Sequence, residues 1–280
     1  MYEHARTVDL GDLQMLVAED GPAAGVPVLL LHGWPDTARL WRNQADVLGE
    51  AGYRVLAPDL VGRGGSHRPS DVARYRVMAS VGDMINLLDN AGIEQAHLVG
   101  HDWGASVAWA MALTNPHRVH SLTALSVGHP NAWEAGGAEQ LRRSWYMFLF
   151  QFEGVAEELL VKDDWAMFRA LADDHSEVTA WIEDLSRPFA LTASLNWYRA
   201  NARAEQLLSR RRSFPSVQVP TLGVWSSGDA YLTEAQMVTS GDHVDAEWRY
   251  ERIDEASHWI PLDAPDRLNT LLLDWFSILA

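Results

Sequence analysis

The sequence predicts an α/β fold: a mostly parallel central sheet covered by helices on both faces, with a helical segment inserted before the last strands. Three observations predict it. Short apolar runs of buried-strand type alternate with helix-length amphipathic segments from Val26 to Val127. The alternation stops at Gly128, and no convincing strand pattern occurs between His129 and about Arg212. It then resumes with Pro220 to Trp225 and Glu247 to Ile253, each followed by a loop and a helix. The chain therefore divides into a first part of the core, 1–129, an inserted helical lid, 130–213, and a second part of the core, 214–280.

Length and composition agree. A chain of 280 residues that is 48% hydrophobic can bury one α/β core and still carry an insertion. The net charge of −16 repels nucleic acid and anionic lipid, and the largest basic cluster is Arg210-Arg211-Arg212, so nucleic-acid binding is excluded. There is no cysteine, which removes disulfides, thiolate chemistry and Cys-based metal sites. The first residues, Met1-Tyr2-Glu3-His4-Ala5-Arg6, contain no apolar signal region, and no stretch approaches the roughly 20 apolar residues of a membrane helix. A cytoplasmic protein without membrane contact is expected.

In chain order, Thr7 to Leu10 and Leu13 to Glu19 predict a hairpin turning at Gly11-Asp12. Val26 to Leu31 is a continuous apolar strand ending in His32-Gly33-Trp34-Pro35-Asp36, and Thr37 to Gly49 has helical spacing. Tyr53 to Ala57 is the next strand. The following Gly62-Arg63-Gly64-Gly65-Ser66 lacks the lysine and spacing of a phosphate-binding loop and reads as a turn. Val81 to Ala91 predicts an amphipathic helix, Gln95 to Val99 a buried strand, Ala105 to Leu113 a helix and Ser121 to Val127 a strand. Inside the insertion, helices are predicted over Leu141 to Phe152, Val155 to Val161, Trp165 to Ala172, Val178 to Leu185 and Leu191 to Leu208; a last helix runs from about Pro265 to Leu279.

The organising corner is Gly100-His101-Asp102-Trp103-Gly104, between a strand and a helix. A glycine on each side lets the backbone reverse sharply, as in the G-x-S-x-G nucleophile elbow, but here the turning residue is Asp102. An aspartate with an ordinary pKa of about 4 is already an anion at neutral pH and can attack carbon without a base. The product would be an ester of its own side chain, which water must then cleave. The structural alternative is that Asp102 merely caps the helix.

The resumed strands decide between these readings. Asp229 follows the strand ending at Trp225, and His258 follows the strand ending at Ile253, giving the chain order nucleophile, acid, histidine. A histidine held by a carboxylate is a competent base near neutral pH. The loop Gly128-His129-Pro130-Asn131 offers no competing carboxylate, so Asp229 is the acid. The backbone N–H groups of Trp34 and Trp103 are the expected oxyanion donors.

On these residues the chain resembles the epoxide hydrolases of the α/β-hydrolase fold over nearly its full length. The resemblance is carried by His32-Gly33-Trp34-Pro35-Asp36, by Gly52 to Leu60 and by Gly100 to Ala105. It implies two lid tyrosines that hydrogen-bond and protonate the epoxide oxygen. Tyr146 matches the one preceding Phe150-Gln151-Phe152-Glu153-Gly154-Val155-Ala156-Glu157, and Tyr198 matches the one in Leu195-Asn196-Trp197-Tyr198-Arg199. Met147 departs from the polar residue common at that position. The implied reaction converts an epoxide and water to a vicinal diol, with no metal and no organic cofactor. The expected partners are a small-molecule epoxide and, at most, a second copy of the chain. The rival is a dehalogenase using the same aspartyl ester. It is disfavoured because position 34 is tryptophan rather than asparagine and because a halide needs no tyrosine acid.

Overall fold

The computed structural model describes residues 5–203 and 213–279. The end of the predicted helix at Leu208 and the Arg210-Arg211-Arg212 cluster lie outside the described residues, as do Met1 to His4.

Among the described residues eight strands form one sheet in the order β1-β2-β4-β3-β5-β6-β7-β8. The opening hairpin, β1 (Arg6–Asp9) and β2 (Gln14–Asp20), lies at one edge, and β2 runs antiparallel to β4 (Arg54–Pro58). All other pairings are parallel, through β3 (Pro27–Leu31), β5 (Ala96–His101), β6 (Val119–Leu125), β7 (Thr221–Ser226) and β8 (Trp248–Ile253). The continuous apolar runs follow from burial on both faces. Along β3, Val28 and Leu30 face one core, whereas Leu29 and Leu31 face the other. On the first face α1 (Arg42–Glu50) packs near the terminal helix, α11 (Pro265–Ile278). On the second lie α2 (Val77–Asn90) and α3 (Trp103–Thr114).

Element boundaries depart from the sequence pattern where distant groups cap a helix. Helix α2 starts at Val77, before the predicted Val81, because Asn201 Oδ1 accepts the Val77 N–H at 2.9 Å. The predicted helix from Thr37 begins as a 3₁₀ turn, Ala38–Trp41, with Thr37 Oγ1 accepting from Arg39 N.

Between β6 and β7 the chain is helical in its described part. The single helix expected over Leu141 to Phe152 is two, α4 (Gly137–Arg143) and α5 (Trp145–Leu149). Helix α4 is held by the Asp229 loop: Arg143 Nη1 donates to the carbonyls of Asp229 (2.6 Å) and Leu232 (3.1 Å), and Gln140 Nε2 donates to that of Tyr231 (2.8 Å). Helix α6 (Val155–Leu171) breaks at Lys162 to Trp165, where Asp163, Asp164 and Trp165 take φ of 51°, 56° and 62°, so the two predicted segments are separate helical stretches. Helices α7 (Val178–Leu185) and α8 (Ala190–Asn201) follow. Short helices α9 (Glu234–Thr239) and α10 (Ile260–Asp263) follow β7 and β8. Among the described residues no helix is long and apolar enough to cross a membrane.

Candidate active site

Strand β5 ends in the elbow. Asp102 has φ 53° and ψ −120°, a conformation costly for a residue with a Cβ, and its flanking glycines are obligatory. A Cβ on Gly104 would lie 2.0 Å from the Leu31 carbonyl oxygen, and one on Gly100 2.5 Å from that of Gly104. Asp102 occupies the residue before α3, yet its carboxylate makes no cap bond to that helix. Instead its Oδ1 accepts the Trp34 N–H at 2.7 Å. Gly33 permits this approach, since a Cβ there would meet Asp102 at 2.3 Å. One carboxylate oxygen is thus anchored on the donor expected of an oxyanion hole, and Oδ2 faces His258.

His258 lies between two carboxylates. Its Nδ1 is 2.8 Å from Asp229 Oδ2, and its Nε2 is 3.8 Å from Asp102 Oδ2, an ion-pair separation too long for a hydrogen bond. The other oxygen of Asp229 accepts from the N–H groups of Tyr231 (2.8 Å) and Leu232 (2.9 Å), fixing the carboxylate's orientation. Burial opposes charge on His258, but Asp229 and Asp102 overcome it and push its pKa up to about 10. Burial likewise would raise both carboxyls. The charge of His258, its hydrogen bond to Asp229 and the backbone donors on each carboxylate hold Asp229 and Asp102 below the usual carboxylate range.

Tyr146, on α5, and Tyr198, on α8, are buried above this carboxylate, with ring centroids 5.8 Å apart in an edge-to-face arrangement. Burial raises both phenols well above 10, and the negative charge of Asp102 adds to the effect, so both stay protonated at neutral pH. One cavity is lined by Trp34, Asp102, Tyr146, Tyr198, Tyr231, His258 and Trp259. Asp102, His258, Tyr146, Tyr198 and Trp34 therefore meet at a single void, with Asp229 behind His258. The ring of Trp103 lies 5.2 Å from that of Tyr198.

The sequence pattern did not single out three residues of this site, Tyr231, Trp259 and His101. Tyr231 packs edge-on to His258 at 5.0 Å and to Tyr146 at 5.6 Å; its place two residues after Asp229, in the same strand-end loop, is the signal that could have found it. His101, inside the elbow motif, sets its Nε2 2.9 Å from the His258 carbonyl oxygen, and burial lowers its pKa to about 3, so it is neutral.

A strand-end aspartate on a strained turn, an acid and a histidine on successive later loops, and a parallel sheet define a class, and comparison agrees. Residues 26–265 match the α/β hydrolase fold family, to which the chain belongs. Within it the chain falls among the epoxide hydrolases. It is 30% identical to epoxide hydrolase A of Mycobacterium tuberculosis, the match covering 97% of each chain. It is 33% identical to epoxide hydrolase 3 of Xenopus tropicalis over 89% of this chain and 70% of that one. The crystal structure of epoxide hydrolase A from Mycobacterium thermoresistibile superposes with a TM-score of 0.81 at 28% identity, over 96% of this chain and 97% of that one.

Proposed function

We propose that the protein is an epoxide hydrolase that adds water to an epoxide through an ester on Asp102, giving a vicinal diol. The observation that carries this reading is the single cavity holding a carboxylate nucleophile, a histidine and two neutral phenols. Asp102 Oδ2 attacks a ring carbon and the C–O bond breaks. Tyr146 and Tyr198 hydrogen-bond the leaving oxygen, and one proton passes to it. An alkoxide is far more basic than a phenoxide, whose conjugate acid has a pKa of about 10, so a phenol can donate usefully as the ring opens.

The second step hydrolyses the ester. His258, oriented by Asp229, takes a proton from water, which attacks Asp102 Cγ; the oxyanion forms on Oδ1, against the Trp34 N–H and, in this proposal, that of Trp103. The inserted helices act as the lid over this chemistry. Their walls are mainly aromatic, which suits an apolar epoxide.

One experiment tests the path. Enzyme in excess over an epoxide is allowed one turnover in heavy-oxygen water. Label is expected in the peptide containing Asp102 and absent from the diol of that first turnover. Label appearing directly in the diol overturns the ester. The double variant Tyr146→Phe/Tyr198→Phe should form no ester within the wild-type turnover time, whereas release of halide from a haloalkane in place of diol formation would favour the dehalogenase.

A further inference from the structure

We propose that the pocket around Arg63, separated from the catalytic cavity by the indole of Trp34, is a binding site for a small anion. Arg63 stands in the glycine-rich turn after β4 and is 3% exposed. Its Nε and Nη2 donate to the Asp36 carbonyl oxygen at 3.1 and 2.9 Å, a neutral acceptor, while Nη1 is buried and has no hydrogen-bond partner among the described residues. Its charge is felt by Asp184, Asp36 and Asp102, but among the described residues it makes no ion pair with any of them. Those carboxylates offset its charge at a distance, but a buried guanidinium N–H left without an acceptor is costly.

The rest of the pocket wall offers no compensation. It consists of His32, Gly33, Trp34, Leu60, Trp103 and Trp197. Both nitrogens of His32 are engaged, at the Gly33 carbonyl and the Leu60 N–H, and burial keeps the ring neutral with a pKa of about 3. The indole N–H of Trp197 donates to Val61 O and that of Trp34 to Ser194 Oγ. The spare group of this wall is a donor, Arg63 Nη1; the Trp103 Nε1–H is turned toward the Tyr198 hydroxyl of the other cavity. An idle guanidinium N–H in an otherwise apolar wall is complementary to an anion.

The space sets its size. About 10 Å³ is open to a water-sized sphere, the space of a single water molecule, so a halide or a carboxylate oxygen enters only as the surrounding side chains give way. The anion therefore has two sources: a free halide, or the carboxylate of an epoxy acid entering as the Trp34 indole shifts. The second source rests on the epoxide hydrolase reading; the first does not.

The test compares the wild type with Arg63→Met and Arg63→Lys, each first shown to be folded by circular dichroism. Sodium bromide is titrated against sodium gluconate at constant ionic strength, following melting temperature and tryptophan fluorescence. For a halide site, the wild type should show a saturable rise in melting temperature and saturable quenching, both lost in Arg63→Met and partly kept in Arg63→Lys. Crystals grown in bromide should carry an anomalous peak against Arg63 Nη1. For a substrate carboxylate, the ratio of KM for a glycidate to KM for its neutral amide should rise at least tenfold in Arg63→Met. Either result supports the site and names its source. No difference between wild type and Arg63→Met in both arms, or bromide bound at crystal concentration only, overturns it. Turnover of the neutral epoxide by the wild type reports separately on the reaction itself.

Discussion

The proposed second step needs His258 as a base, yet in the resting protein it is flanked by Asp229 at 2.8 Å and Asp102 at 3.8 Å, with its pKa pushed up to about 10. The imidazolium is therefore the resting form at neutral pH. Forming the ester removes the charge of Asp102, and with it one of the two carboxylates that hold the proton on. The histidine pKa must then fall, and the proton it releases balances the one given to the leaving oxygen. On the proposed path the nucleophile thus switches on the base for its own hydrolysis. In single-turnover experiments the rate of ester decay should rise with pH to a midpoint below the imidazole pKa of the free enzyme measured by NMR. A decay midpoint at or above the free-enzyme value would contradict the coupling. With His258→Gln, ester of one equivalent per enzyme should accumulate, and its hydrolysis should slow by about 10²–10⁴-fold.

The tyrosines reach the site because their helices are locked to each other. Arg199, next to Tyr198 on α8, forms a bidentate pair with Glu157 on α6, both contacts 2.9 Å, and its Nε donates to Phe150 O at 3.0 Å. Gln151 bridges the carbonyls of Met147 and Tyr198. The sequence runs around Tyr146 and Tyr198 are thus the two halves of one clamp, which gives a physical reason for their joint occurrence. Arg199→Met should strand Glu157, which is 17% exposed, and destabilise the fold by about 3 kcal/mol in denaturant melts. It should also lower kcat more than it raises KM for an epoxide. Adding Glu157→Gln should recover part of the stability, the coupling expected of a buried pair. Helices and strands whose pattern is local, such as β3 and α7, were legible in the sequence because burial dictates their residues directly. The chain order of Asp102, Asp229 and His258 was legible for a related reason: strand ends share one rim of the sheet. What stayed hidden depends on partners far along the chain. Asn201 fixes the start of α2, Gln140 and Arg143 split the expected helix in two, and Tyr231 and Arg63 acquire their places only when loops meet.

Across the whole molecule, buried histidines govern how stability depends on pH. His32, His97 and His101 are pressed by burial to about 3, and His129 to about 4, so they fold as neutral rings. Their unfolded pKa is about 6.5, so below that pH the unfolded chain binds protons that the folded one refuses. Each such histidine removes about 1.4 kcal/mol of stability per pH unit on acidification. Asp36, raised by burial to about 7, acts in the opposite direction between its unfolded value of 3.8 and 7, and offsets roughly one of the four. The lowered pKa values of Asp102 and Asp229 add a further loss only as the pH falls below their unfolded value of 3.8. On the alkaline side the raised His258 counts. Its contribution is complete below about 6.5 and is lost as the pH rises through about 10, at the slope of a single group. Stability should therefore peak near pH 6.5 and fall more steeply toward acid than toward alkali. Urea denaturation midpoints measured from pH 4 to pH 10 check this. A steeper fall on the alkaline side would mean that the four histidines are not folded in their neutral form. Replacing His97 by Gln should flatten the acid limb by about one proton's slope, because that ring lies away from the catalytic cavity, tilted against Phe276 with centroids 4.2 Å apart and bonded to Ser121 Oγ at 2.7 Å.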